Sequence, residues 1–242
     1  MLALIIQIYS PVVCFETVRL MLGLATLEGW HTTGLDVRNT YLYGKRDEEI
    51  YMEQPESFVK DSHIVFRLRR AIYGLKQAGL AWWCQLDASM RELGFVCLKS
   101  EAGIFQYQRT GTNIVFAVVY VDDTFFCGPD RAILNKIKTK FMDRWKCRDL
   151  GNLSEFLRMR IIHHDQQIHI DQSKYLRKIL QYFQMQNAKP APTPLPIGYY
   201  PQMHNGPIDY TLQKQFQTVI GSLLYLMLGT RPDIAFVVTQ LA

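Results

Sequence analysis

Apolar and polar positions alternate in several distinct rhythms along this chain, and the most prominent is hardly an alternation. Ile114-Val115-Phe116-Ala117-Val118-Val119-Tyr120-Val121 runs unbroken into two adjacent carboxylates, Asp122 and Asp123, and apolar residues resume at Phe125-Phe126-Cys127. A continuous run rich in Val and aromatics predicts a strand buried on both faces. The short apolar stretch that follows predicts a second strand, with the acids at or beside a tight hairpin turn. Asp tolerates turn geometry, but two like charges without a glycine make a poor turn. Two readings stand at this point: an acidic hairpin with no further role, or carboxylates held at a sheet edge for a divalent cation.

Elsewhere the spacing is helical. Residues 16–30 place Val18, Met21, Leu24, Ala25 and their neighbours on one stripe, ended by Gly29. Residues 78–93 set Trp82, Leu86, Met90 and Leu93 on one face, ended by Gly94. Residues 130–145, after Pro129, turn Ile133, Ile137, Phe141 and Trp145 inward and the lysines outward. A further helix is expected over 172–183. Six of the ten prolines lie between Pro190 and Pro207, which makes that stretch an extended connector. Beyond it, Leu212, Phe216, Val219, Ile220, Leu223, Leu224 and Met227 mark an amphipathic helix, and 233–242 starts another.

Strands are expected at 34–37, 50–52, 65–68, 95–98, 104–107, 114–121 and 124–127, with Gly111 in the turn before the central strand. Residues 156–162 and 167–170 are expected to form a hairpin. Residues 1–13 read as extended, and 38–44 as a turn or short helix.

The middle of the chain thus reads strand (with Asp36), helix, strand, strand, helix, strand (156–162). This β-α-β-β-α-β order predicts an α+β fold with a ferredoxin-like sheet. With the first and second core strands side by side, Asp36 approaches the acidic hairpin tip. A lone acid on a strand beside that tip is costly unless a cation neutralises it.

Composition changes the picture little. The 242 residues make one large domain or two small ones, and 48% hydrophobic residues suffice for a core. The net charge of +5 admits an anionic partner without requiring one. Basic residues gather over 60–76 and 131–148, a pattern that is commonly a solvated face. Five cysteines without Cys-x-x-Cys spacing suggest free thiols in a reducing compartment. No apolar run is long enough for a membrane span, and Met1 to Ile8 lacks the flanks of a signal peptide. An intracellular location, cytoplasmic or nuclear, is expected. His163 and His164 are adjacent, so a strand would send them to opposite faces, as surface residues.

Carboxylate oxygens are the ligands Mg²⁺ prefers, usually together with substrate phosphates. Two such ions can stabilise the attacking and leaving oxygens of phosphoryl transfer. No nucleophile-elbow, Walker or His-Glu-x-x-His motif competes. From the residues alone, the expectation is a palm-like two-metal phosphoryl transferase, a class that includes polymerases and nucleotide cyclases.

Several further motifs occur in a fixed order. They are Ser10-Pro11-Val12-Val13-Cys14-Phe15-Glu16-Thr17-Val18-Arg19-Leu20, Leu35-Asp36-Val37-Arg38-Asn39-Thr40-Tyr41-Leu42-Tyr43-Gly44, Glu48-Glu49-Ile50-Tyr51-Met52-Glu53-Gln54-Pro55 and Leu75-Lys76-Gln77-Ala78-Gly79-Leu80-Ala81-Trp82. Tyr120-Val121-Asp122-Asp123, Asp149-Leu150-Gly151, Phe156-Leu157-Arg158-Met159-Arg160 and Ile220-Gly221-Ser222-Leu223-Leu224-Tyr225-Leu226 with Thr230-Arg231-Pro232-Asp233-Ile234 follow. Together they resemble the reverse transcriptases of copia-type long-terminal-repeat retrotransposons, over roughly residues 9–242.

The resemblance implies a right-hand polymerase fold. Residues 1–30 would be residual fingers and an entry helix, and 31–170 a palm with inserted fingers elements. Residues 171–208 would be a helix and Pro-rich connector, and 209–242 a helical thumb. Asp36, Asp122 and Asp123 would be catalytic and, with the Val37 carbonyl, would hold two Mg²⁺ ions, with Mn²⁺ as a substitute. Asn39 and Thr40 amides would hold the triphosphate. Tyr41 would be a steric gate against a ribose 2′-hydroxyl, or simply a core aromatic. Gln77 would contact the incoming nucleotide. Phe156, Leu157, Arg158, Met159 and Arg160 would grip the primer end. The partners would be an RNA or DNA template with primer, and deoxynucleoside triphosphates.

Departures from the family pattern bear on activity. A basic segment of Lys-Ala-Arg-Leu-Val-Ala-Lys type, expected upstream of Ser10, gives way to apolar residues, position 14 is Cys, and the ribonuclease H segment that the family carries next is expected to be missing. A truncated copy with weak or no activity is therefore expected. The alternatives are a catalytically silent remnant that binds nucleic acid and, disfavoured by the thumb-like segment, a nucleotide cyclase.

Overall fold

A computed structural model describes residues 10–45, 48–59, 63–107, 114–196, 198–199, 201–202 and 206–242. The expectations for the first nine residues and for Gly111 lie outside them. The chain forms two compact units, Met1–Leu157 and Arg158–Ala242.

The first unit is built on a six-stranded sheet in which every pairing is antiparallel. Its strands are β1 (His31–Val37), β4 (Phe95–Cys97), β5 (Ile104–Tyr107), β6 (Phe116–Tyr120), β7 (Asp123–Gly128) and β8 (Cys147–Gly151), in the order β4-β5-β6-β7-β1-β8. The central strands read as continuous apolar runs because both faces are covered. On one face, Leu35, Val37, Ala117, Val119 and Phe126 pack against helix α2 (Ala78–Glu92) through Trp82, Leu86 and Met90. Helix α3 (Arg131–Arg144) joins them through Leu134, Ile137 and Phe141. The opposite face carries Phe125, which meets Phe156 edge-on at 4.9 Å.

Asp130 caps α3, its carboxylate accepting the Ala132 and Ile133 N–H groups at 2.7 and 3.0 Å. The buried stripe is Leu134, Ile137 and Phe141 at i, i+3, i+7, which leaves Ile133 at the rim rather than inward as expected. Helix α1 (Phe15–Leu27) buries Val18, Met21, Leu22 and Ala25. The short strands β2 (Tyr51–Met52) and β3 (Phe66–Arg67) form a separate ribbon.

Two expectations about the sheet are corrected. The strand beside Asp36 is β7, the third core strand, and β6 lies one place further out. The last core strand is β8, not 156–162. Cys147–Gly151 is a half-exposed edge carrying Arg148 and Asp149, so it has no apolar rhythm to betray it. Residues 156–162 are not one strand, because Leu157 and Arg158 take left-handed backbone angles (φ 51° and 59°). They separate β9 (Glu155–Phe156), at the end of the first unit, from β10 (Met159–His164) in the second.

In the second unit β10 pairs with β11 (Gln167–Asp171) from Arg160↔Asp171 to His164↔Gln167, and His163 and His164 are exposed. Helix α4 (Ser173–Tyr182) follows. Helix α5 (Tyr210–Gly229) is capped by Asp209, and a 3-10 turn (Pro232–Ile234) leads to α6 (Ala235–Leu241). Tyr175 and Tyr225 join α4 to α5, their rings 4.6 Å apart. No described helix is long and apolar enough to cross a membrane.

Candidate active site

The sheet brings the acids together by register. Asp36 is the direct partner of Asp123 across the β1–β7 ladder, and Tyr120 is the partner of Asp123 across β6–β7. Directly opposed residues project from the same face. Leu35 and Val37 point to the helices, so Asp36 and Asp123 stand on the other face. Asp122 lies in the turn between β6 and β7, and its carbonyl accepts the Val37 N–H at 2.9 Å. That bond ties the acidic turn to the strand bearing Asp36.

The crowding has an electrostatic consequence. Asp123 is pushed up to about 6, first by burial and then by the charges of Asp122 and Asp36; the Leu157 N–H, which donates to its carboxylate, works against the shift. On its other side, β1 pairs Asp36 with Arg148 of β8. Arg148 Nε lies 3.6 Å from Asp36 Oδ2. Asp36 therefore sits between a like charge and an opposite one.

The other predicted residues divide into two sets. Val37 is buried, and its carbonyl accepts the hydroxyl of the fully buried Thr40 at 2.9 Å. Asn39 takes a left-handed backbone (φ 54°) and starts a 3-10 turn (Thr40–Tyr43). That turn swings Tyr41 back to the cluster, where its phenol is raised by burial, by Tyr73 and by the charge of Asp122. Its ring meets Tyr73 edge-on at 4.5 Å. Phe156 and Leu157 also reach the Asp123 strand. Gln77, by contrast, precedes α2 and accepts the Ala81 N–H through its carbonyl, and among the described residues it makes no hydrogen bond to the aspartates. Arg158, Met159 and Arg160 belong to the second unit, with Met159 buried and the arginines exposed.

Three contributions to the cluster are not visible in the sequence. Arg148 sits on a strand without apolar rhythm. The Leu157 N–H depends on a backbone turn. Trp82 is legible as a core position on α2, but its indole N–H donates to the Val121 carbonyl at 2.8 Å, a partner 39 residues away.

The donor set is chemically suited to a hard divalent cation, since it offers carboxylate oxygens crowded enough to hold a proton near neutrality. As they stand, no three acid, Cys or His side chains among the described residues converge to hold an ion.

Fold and site together define a mixed α/β protein whose antiparallel sheet assembles an acidic cluster at the meeting of β1, the β6–β7 turn and β8. The sequence profile of the family described as reverse transcriptase (RNA-dependent DNA polymerase) matches residues 4–197. The Retrovirus-related Pol polyprotein from transposon TNT 1-94 of Nicotiana tabacum is 32% identical over 243 residues, spanning 96% of this chain and 18% of that polyprotein. The Retrovirus-related Pol polyprotein from transposon RE2 of Arabidopsis thaliana is 34% identical over 238 residues, spanning 98% of this chain and 16% of that polyprotein. A Putative transposon Ty5-1 protein of Saccharomyces cerevisiae is 28% identical over 215 residues, spanning 86% of this chain and 68% of its own length. The chain belongs to the reverse transcriptase (RNA-dependent DNA polymerase) family, which bears out the resemblance carried by the motifs. It spans less than a fifth of the length of the two plant polyproteins.

Proposed function

We propose that this chain is the polymerising domain of a retrotransposon Pol polyprotein, extending a primer with deoxynucleotides on an RNA or DNA template. The observation that carries this reading is the Asp36↔Asp123 register, with Asp122 in the adjoining turn, in a chain of this family. The first unit would be the palm, with the β2–β3 ribbon as a fingers element, and α5 and α6 would be the thumb.

Asp36, Asp122, Asp123 and the Val37 carbonyl would hold two Mg²⁺ ions. When bound, those ions supply positive charge against the triphosphate and the primer oxygen. The primer 3′-oxygen attacks the α-phosphorus, the bond to the β-phosphate breaks, pyrophosphate leaves and the hydroxyl proton is released to solvent. The Asn39 and Thr40 amides orient the triphosphate, Gln77 contacts the nucleotide, and Tyr41 blocks a 2′-hydroxyl. Phe156, Leu157, Arg158, Met159 and Arg160 hold the primer end.

A second reading, a silent nucleic-acid-binding remnant, draws on the Asp36–Arg148 ion pair and the unconverged carboxylates. Primer extension on an RNA template with Mg²⁺ or Mn²⁺ separates the two. The polymerase reading expects incorporation that is abolished by Asp122→Asn. Incorporation unchanged by that substitution overturns the site assignment. Salt-sensitive duplex binding without incorporation supports the silent reading.

A further inference from the structure

The turn that presents the acids is backbone-strained. Tyr120 and Asp123 pair directly, so Val121 and Asp122 form a two-residue hairpin connection. Val121 has φ 56°. That region suits glycine, and a β-branched residue is a marked exception there. Something outside the hairpin must hold it.

Two bonds reach the turn from other elements. The Val37 N–H of β1 holds the Asp122 carbonyl, and the Trp82 indole N–H of α2 holds the Val121 carbonyl. Trp82 is itself immobilised: it is 2% exposed, and its ring lies 5.0 Å from Trp145 and 5.9 Å from Tyr43. Trp145 is fixed in turn, its indole N–H donating to Ser89 Oγ on α2 at 3.2 Å. These edge-on and tilted ring contacts give the donor a fixed position beside the strained residue.

We propose that Trp82 is a positioning residue for the acidic turn, its indole N–H holding the Val121 carbonyl so that Asp122 and Asp123 are presented beside Asp36. This rests on the reading of those aspartates as the catalytic carboxylates. Packing alone would be satisfied by any large aromatic ring. The indole donor is what the turn requires.

The test compares Trp82→Phe, which keeps a ring and removes the donor, with Trp82→Phe/Val121→Gly, in which glycine accepts the left-handed angle unaided. Hydrogen exchange of the 120–124 peptide in the metal-free full chain reads the turn without reference to catalysis. We expect exchange there to rise at least tenfold in Trp82→Phe, with the α2 and α3 peptides unchanged, and to return toward wild type in the double variant. Primer extension and Mn²⁺ affinity by electron paramagnetic resonance form the second arm. There the single variant should lose about tenfold in rate and in Mn²⁺ affinity at unchanged duplex affinity, and the glycine should restore both.

Wild-type exchange at 120–124 in Trp82→Phe, or failure of Val121→Gly to reverse its rise, overturns the positioning role. If exchange behaves as expected while Asp122→Asn leaves incorporation and Mn²⁺ binding untouched, the catalytic reading of the turn fails and the structural role of Trp82 stands.

Discussion

Arg148 faces Asp36 directly across the β1–β8 ladder, with its Nε 3.6 Å from the Asp36 carboxylate. The same aspartate faces Asp123 on its other side. An arginine thus stands where it can neutralise the acid that a cation would otherwise neutralise. The Arg148 side chain is 63% exposed, so the pair contributes at most about 1 kcal/mol to stability.

Arg148→Ala should therefore leave the unfolding midpoint nearly unchanged and tighten Mn²⁺ binding, by up to about fivefold if the whole pair energy is recovered. Electron paramagnetic resonance titration of the metal-free chain reads this. Unchanged or weaker Mn²⁺ binding would show that Arg148 does not compete for Asp36.

Asp123 gives a pH-dependent signature. Its folded pKa, about 6, lies above the ordinary 3.8. A raised carboxyl pKa means that the folded state binds the proton more tightly. The associated stability is fully present below pH 4 and is lost as pH rises through 6. In the metal-free protein, Asp123→Asn should therefore be more stable relative to wild type at pH 8 than at pH 4. With partial solvent screening the difference is on the order of 1–2 kcal/mol. Denaturant unfolding at the two pH values checks it, and a pH-independent difference would mean that the site does not hold Asp123 near neutrality.

Thr40 links the start of the 3-10 turn to the strand end. Its hydroxyl donates to the Val37 carbonyl inside the fold. Thr40→Val keeps the shape and removes the donor, and should cost about 1–2 kcal/mol, whereas Thr40→Ser should cost less. Equal losses in the two variants by urea unfolding would assign the effect to the methyl group instead.

Gly229, near the end of α5, leaves no room for a side chain, because a Cβ there would collide with the amide of the buried Gln172. That amide accepts from the Thr230 hydroxyl at 2.8 Å and donates to the Tyr225 carbonyl at 3.4 Å. Gly229→Ala should destabilise the second unit by about 2–4 kcal/mol through overpacking and loss of both bonds. Hydrogen exchange should show faster opening in α4 and α5, with the six-stranded sheet unaffected. A melting profile unchanged in the second unit would contradict this.

Much of the fold was legible because it is written locally. The stripe of Trp82, Leu86 and Met90 marks α2, and the unbroken run before Asp122 marks β6. Where local rhythm failed, the sequence misled. Cys147–Gly151 is a polar edge strand with no apolar period, so the apolar rhythm places the last core strand at 156–162, where Leu157 and Arg158 in fact turn the chain. Of the site, the acids and the family were legible, since both rest on short motifs.

What the sequence by itself determined is the chemistry on offer: carboxylates at Asp36, Asp122 and Asp123, on strand ends and in a motif order that names a family. The tertiary structure alone decided their relations. It paired Asp36 with Asp123, set Arg148 on the far side, and aimed the Trp82 indole at the Val121 carbonyl. Periodicity tells which face of an element is buried but not which strand lies beside it or in what register. Those choices come from packing distant segments together, and they settle how charged and how rigid the acidic turn is.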